Sequence, residues 1–408
     1  MPWPHELFSA VYKHFPKEWI ARIRGVADLG DFWRRKSYQQ SADIYSFCSL
    51  VAQGSTKETN FIVAMLFARS QVWPDVDDRG RPHEAGTTAA RLAGSPLADG
   101  YRGVVFLLRG DLDYLSKSLE LQHASASQPC CLCLADRSAG LNFLDCRPGA
   151  RWQSSVHTTP VWQRRFGSAS QNPLWRAPGI TAMCYYPDVM HNKHLGMDAY
   201  FLGGVLKVML QYAPLPQIFE QCKAHWREAR DGNHFGQLRE TMFLGKRGDY
   251  PKLKGKAAEV RSMTPALLVA WRRLREAHGL RSTYAEQIEL GLQCSKDIDV
   301  ILDEARGELF FDDQTHERYV ELHYHYAAMQ TALHKRHWEQ GERVFNVTIK
   351  MHYAIHGALL SKHCSPRLSW CYSGEDLMQK AKVVLAACRL SLRLAFACLR
   401  LLLCGQPP

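Results

Sequence analysis

The sequence predicts an α+β protein in which a large helical insertion follows a sheet-forming first half. Three observations lead there. Apolar runs rich in β-branched and aromatic residues are concentrated before residue 212, helical apolar spacing fills most of residues 214–345, and 46% apolar residues in a chain of 408 can build a large core without disulfides.

The elements follow in order. Residues 1–36 read as helical, because "PHELFSAVYKHF" carries apolar residues at helical spacing and "DLGDFWRRK" closes the unit, which gives an N-terminal segment 1–40. A sheet region spans 41–212. There "IYSFCSLVA" (44–52) and "NFIVAMLFA" (60–68) flank the polar "QGSTKET", the pattern of a hairpin with a longer loop. The proline, glycine and aspartate of residues 72–100 read as a loop, and "YRGVVFLLRGD" after it reads as a strand apolar enough for a sheet centre. "LDYLSKSLEL" is a helix, residues 128–180 are irregular, "GITAMCYYPDVMH" (179–191) is a short strand, and "NKHLGMDAYFLGGVLKVMLQY" is a helix. The helical insertion covers 213–345 and C-terminal helices cover 346–408.

A net charge of +11 favours polyanionic partners, DNA first, although the basic residues are scattered. Thirteen irregularly spaced cysteines and an N-terminus without a signal-peptide pattern read as an intracellular chain with reduced thiols. The apolar stretch 383–403 carries Arg389, Arg393 and Arg400 on one side of a helix, so it reads as an amphipathic helix and not as a membrane span. Walker A, GxGxxG and GxSxG patterns are missing, which argues against ATPases, nucleotide cofactors and α/β-hydrolases.

Several residues are suited to chemistry. Asp111 ends "VVFLLRG" where a helix begins, a place at which a carboxylate can hold a divalent cation; it equally suits the cap of that helix, and both readings stay open. Cys130 and Cys133 form CxxC, which grips one metal with two thiolates. A closed zinc site needs two more ligands, and His123, Cys131, Cys146, His157 and Cys184 are close in sequence; buried free thiols are the alternative. In "PDVMH", Asp188 and His191 can share a hydrogen bond or face one site. Lys350, His352 and His356 lie on one helix, the histidines at i and i+4; without the Glu of HExxH they read as core or phosphate-facing residues. Glu375, in "WCYSGEDLM", sits with Asp376 in a first helical turn behind Ser373.

In this order, a strand ending "GD", CxxC, "PDVMHNKHLG", a helical region, "KMHYAIH" and "WCYSGEDLM" resemble the DDE transposases of the En/Spm (CACTA) superfamily and related transposon-derived reading frames, over residues 1–385. The resemblance implies an RNase H-like mixed sheet with a helical insertion before the last acid, and Mg²⁺- or Mn²⁺-dependent DNA cleavage and strand transfer. It makes Asp111 the second acid, Asp188 and His191 the Asp-x-x-His motif, and Glu375 the third acid. DNA is the implied partner, with a second copy of the chain, in the nucleus. One element departs from the pattern: "WRRKSYQQSAD" stands where a first strand with its acid belongs, and Asp43 opens the next strand instead. The expected function is therefore a transposase-derived DNA-binding protein, catalytically impaired as written. The alternative is a non-enzymatic nuclear DNA- or protein-binding module with a structural zinc site.

Overall fold

A computed structural model describes residues 62–69 and 101–372, except 139, 169, 171–174, 176–180, 247, 307 and 309. Strands β1 (Ile62–Arg69) and β2 (Tyr101–Arg109) pair antiparallel, Ile62 opposite Arg109 and Arg69 opposite Tyr101, with a bulge between Ala64 and Met65. Among the described residues no further strand joins them, and the body of the protein is helical. The expected RNase H-like mixed sheet is thus not what the chain forms. Such a sheet needs a central strand bonded on both edges; among the described residues β1 and β2 are the only strands, and helices supply most of the described core.

The run at 60–68 forms a strand, 62–69, that pairs with 101–109, while its expected hairpin partner 44–52 lies outside the described residues. One local expectation changes. Of the short strand expected over 179–191, the described residues hold a 3₁₀ turn, Ala182–Cys184, a lone bridge residue, Tyr185, and Pro187, which has no amide to give a ladder. The run 44–52, the segment 1–40, Asp43, Glu375 and the arginine-striped stretch 383–403 lie outside the described residues.

Helix α1 (Leu112–Ser118) follows β2 directly. An irregular segment holding the turn Arg151–Ser155 leads to the short α2 (Thr159–Trp162). A π-helical stretch, Met190–Asp198, then runs without a break into α3 (Ala199–Met209). After it come α4 (Leu215–Ala229), α5 (Ala257–Ala277), α6 (Thr283–Glu304), α7 (Asp313–Glu339), α8 (Ile349–Leu359) and α9 (Pro366–Ser369).

Side chains cap these helices where the sequence offers acceptors. Ser282 Oγ accepts from Ala285 N at 3.3 Å before α6, Asp312 Oδ1 from Thr315 N at 2.7 Å before α7, and Thr348 Oγ1 from Lys350 N at 3.4 Å before α8. Glu259 reaches back to Lys256 N at 2.7 Å in the first turn of α5. Arg230, at φ 52°, ends α4 in the left-handed region.

The helices pack in sequence, α4 on α5, α5 on α6, α6 on α7 and α7 on α8, while α8 also lies on the π-helical stretch. One buried cluster runs from Leu115 to Ala358 and includes Trp152, Trp162, Trp226 and Trp271, all at most 2% exposed. A fully buried tryptophan removes roughly 150–250 Å² from water, about 4–6 kcal/mol at 25 cal/mol/Å². Two of the four also join neighbouring elements through the indole: Trp226 Nε1 donates to Ser262 O and Trp271 Nε1 to Ala285 O, both at 3.1 Å. Gly203 in α3 lets the strand-like Pro251–Leu253 segment come close, since a Cβ there would stand 2.8 Å from Lys252 N. No described helix is long and apolar enough to cross a membrane.

Candidate metal centre and the acid cluster beside it

Cys130 and Cys133 sit in the irregular segment after α1, both with no exposed surface. Two backbone amides point at them: Leu132 N donates to Cys130 Sγ at 3.3 Å and Ala135 N to Cys133 Sγ at 3.4 Å. Such donors favour thiolates. Facing them on one side of α8 are His352 and His356, 0% and 2% exposed. Their spacing of four residues puts both imidazoles on the same face of the helix.

The three separations that define the cluster are short. Cys130 Sγ lies 3.6 Å from His356 Nε2, Cys133 Sγ 3.4 Å from His352 Nε2, and the two Nε2 atoms are 3.1 Å apart. All four ligand atoms lie within 4.8 Å of one another. A tetrahedral zinc with bonds of about 2.3 Å to sulfur and about 2.0–2.1 Å to nitrogen would set S···N edges near 3.6 Å and N···N edges near 3.4 Å. The four residues fit that group, and they form a buried cluster that could bind a metal such as zinc. Four protein ligands fill a tetrahedron and leave no position for substrate, which marks the centre as a brace.

The surroundings support the ligands. Trp152 lies against both imidazoles, at 4.3 Å from His352 and 4.7 Å from His356 between ring centres, and its Nε1 donates to Asp145 O at 2.6 Å. The Tyr353 hydroxyl accepts from Cys131 N at 3.1 Å and lies 3.2 Å from Pro129 O, fixing the loop on α8. Burial pushes the Cys130 thiol up, and burial pushes His352 down. A cation binding here would displace thiol protons, so its affinity rises with pH.

The third and fourth ligands are thus none of His123, Cys131, Cys146, His157 and Cys184, which lie near CxxC in the sequence. His123 Nδ1 meets Ser125 Oγ at 2.8 Å, His157 Nε2 meets Arg165 at 3.1 Å, Cys146 bonds Phe143 O at 3.8 Å and Cys184 meets Thr181 Oγ1 at 3.5 Å. Burial and the Arg165 charge push His157 down to about 4. Two signals could have found the real pair: a CxxC without a partner, and two histidines at i and i+4 on an otherwise apolar helix.

A second cluster lies at the other end of α8. Asp111 begins α1, its carbonyl accepting from Leu115 N at 3.0 Å, and its carboxylate is near enough to act on both His191 and Lys350. Asp188 is 3% exposed and accepts four hydrogen bonds. Its Oδ1 takes Met190 N at 3.2 Å and Cys371 N at 3.1 Å; its Oδ2 takes His191 N at 3.0 Å and His191 Nδ1 at 2.6 Å. These bonds use the carboxylate's lone pairs, so Asp188 caps the π-helical stretch, orients His191 and holds the chain that leads to Glu375. Burial works against the His191 imidazolium, but the Asp188 bond and charge, with Asp111, outweigh it and raise the pKa. Burial, with Lys252, holds Lys350 down at about 8 against the pull of Asp111 and Asp188. Its stem packs on Gly196, where a Cβ would stand 2.8 Å from Lys350 Cδ. Asp111 thus lies between β2 and α1, Asp188 and His191 lie at the start of the π-helical stretch, the turn Ala182–Cys184 before them packs on β2, and the Asp111 charge reaches His191.

A third group of donors, His194, Asp198 and Asp299, also lies within 4.8 Å but already holds a cation of its own. The Lys193 ammonium, 1% exposed, donates to Asp198 Oδ2 at 2.9 Å, Ser295 Oγ at 3.0 Å and Asp299 Oδ2 at 2.9 Å. Tyr326 and Ser295 each donate to Asp198 Oδ1 at 2.8 Å, and His194 Nε2 to Asp299 Oδ1 at 2.9 Å. Comparison with protein-family models, curated proteins and solved structures returns no match.

Proposed function

We propose that the protein is a metal-braced DNA-binding protein of transposase descent that does not cleave DNA as written. One observation carries the reading. Motifs scattered along the chain in the order of the En/Spm resemblance converge in space: CxxC meets "KMHYAIH" in one four-ligand cluster, and the Asp111 of "GD" acts on the His191 of "PDVMH" and on Lys350. Loose motifs without a common origin have no reason to meet.

Cys130, Cys133, His352 and His356 would hold the zinc, which joins the loop after α1 to α8 and so fixes Asp111 relative to Asp188 and His191. The net charge of +11 supplies the attraction to phosphate. Cleavage by two Mg²⁺ or Mn²⁺ ions needs several convergent carboxylates. Asp188 has its oxygens committed to four hydrogen bonds, so it is not offered to a cation as it stands.

The test uses purified full-length protein. Elemental analysis is expected to give one zinc per chain, fluorescence anisotropy to give DNA affinity that falls with salt, and labelled DNA to stay intact in Mn²⁺. Absence of DNA binding at low salt would refute the reading; cleavage abolished by Asp111→Ala would refute the inactive assignment alone.

A further inference from the structure

Trp338 is the most exposed of the large hydrophobic side chains in the described residues, at 59%, while Trp152, Trp162, Trp226 and Trp271 are core residues. It sits in the last turn of α7. One turn earlier His334 stacks on it, ring centres 6.0 Å apart and planes 26° from parallel. His334 is itself fixed, its Nδ1 bonding Phe345 O at 2.8 Å, and its ring lies 5.9 Å from that of Tyr250. The Arg343 guanidinium covers Tyr250 at 5.8 Å and donates to Gly248 O, while Lys207 Nζ donates to Arg343 O at 3.1 Å. The result is a ladder from an exposed indole through imidazole and phenol to an exposed guanidinium.

Leaving an indole this open gains nothing for the fold, whereas His334 and Arg343 are each held by a backbone carbonyl and Tyr250 lies between them. A stacking platform for an unpaired base has this construction: an aromatic face held rigid, with cations alongside to follow the phosphates. The local acids do not cancel the cations. Glu342 is bonded to His337 at 2.7 Å, Asp249 accepts from Lys246 N at 3.1 Å, and Glu339 meets only the exposed Lys335, at 3.8 Å. Among the described residues no carboxylate bonds the side chains of Arg343 and Lys207, which meet backbone carbonyls instead.

We infer that the face formed by Trp338, His334, Tyr250 and Arg343 binds single-stranded DNA, one base stacking on Trp338 and the backbone running toward Arg343. The inference rests on the DNA-binding reading above and names where the strand lies. Unpaired DNA is favoured over duplex because the π-face of a base is accessible only when the base is unstacked.

The experiment measures anisotropy of a labelled oligothymidylate and of a labelled duplex with the full chain, for the wild type, Trp338→Ala and Trp338→Phe. Trp338→Ala is expected to weaken oligothymidylate binding roughly five-fold or more and duplex binding less than two-fold; Trp338→Phe should keep most of the single-strand affinity. The side chain is exposed, so neither variant should alter folding, which the melting temperature checks. If the wild type binds both DNAs and Trp338→Ala binds oligothymidylate equally well, the surface assignment is wrong and the DNA-binding reading stands. If the wild type binds neither, both are wrong. If Trp338→Ala changes the oligomeric state in sedimentation and leaves DNA binding intact, the face is a protein contact and the inference is overturned.

Discussion

Two buried clusters of metal-ligand residues, about one helix apart, have opposite electrostatic economies. Around Cys130, Cys133, His352 and His356 the thiols receive backbone amides and the imidazoles lie against Trp152, and among the described residues no lysine or arginine bonds the four ligand atoms. Around His194, Asp198 and Asp299 the Lys193 ammonium sits among the carboxylates with its three donors used. Burial would raise the Asp299 carboxyl, but Lys193, His194 and Arg261 outweigh it and hold the group below the usual carboxylate range. Metal-ligand residues therefore form a cluster that offers four ligands and no cation in one place and a finished ion network in the other. Proximity of donors marks a metal site only when nothing in the chain already supplies the charge.

The largest effect should come from removing the metal. Structural zinc binds small domains with about 10–16 kcal/mol of apparent free energy at neutral pH, comparable to the whole stability of a domain, about 5–15 kcal/mol. Cys133→Ser, or a strong chelator, is expected to abolish zinc binding and to expose residues 129–157 and 349–359 to hydrogen exchange. Cys131→Ser is the control, since that thiol bonds the tyrosines Tyr353, at 3.4 Å, and Tyr185 and lies outside the four-ligand cluster. It should retain the metal and lose about 1 kcal/mol. Equal losses in both variants would break the distinction between ligand and neighbour.

Next in size is the network that carries its own cation. Lys193→Met leaves Asp198 and Asp299 facing each other inside the core, and breaking a buried pair in this way costs about 3–5 kcal/mol. The variant also sharpens the comparison. With the ammonium gone, His194, Asp198 and Asp299 offer three ligand atoms within 4.8 Å, so added Zn²⁺ should raise the melting temperature of Lys193→Met more than that of the zinc-loaded wild type. Equal shifts in both would mean that the lysine does not stand in for a metal.

How much of this was legible beforehand depends on distance along the chain. CxxC could be read because both ligands lie in one short segment, but their partners are 219 and 226 residues away and no local pattern joins them. The Asp188–His191 hydrogen bond was legible because three residues of spacing fix it. The Lys193 network was not, since "HNKH" has the composition of a surface and becomes interior only when a π-helical turn packs it against α3, α5 and α8 and aims Lys193 at Asp299 of α6. For the sheet, the apolar run 101–109 revealed a strand. It carried no record of how many neighbours that strand would have, and the mixed sheet was inferred from resemblance and not from the run itself.

The smallest expected effect is a pH dependence that separates His191 from Lys350. His191 has a raised pKa in the fold, so its contribution is fully present below the unfolded value of about 6.5 and is lost as pH rises through the higher folded value. Lys350 is opposite in sign. Its folded pKa is lowered to about 8, so the unfolded chain binds more protons above that pH, and stability recovers as pH rises from about 8 toward the ordinary lysine range. The wild type should therefore lose stability from pH 6 to 8 relative to His191→Gln, and regain it above pH 8 relative to Lys350→Met, as read from urea midpoints. Asp188→Asn removes the carboxylate charge from both groups at once. It should lower the His191 pKa, measured by NMR titration, and lower the Lys350 pKa in the same direction. A fall in one without the other would show that Asp188 serves His191 alone, and that Asp111 is the acid that governs Lys350.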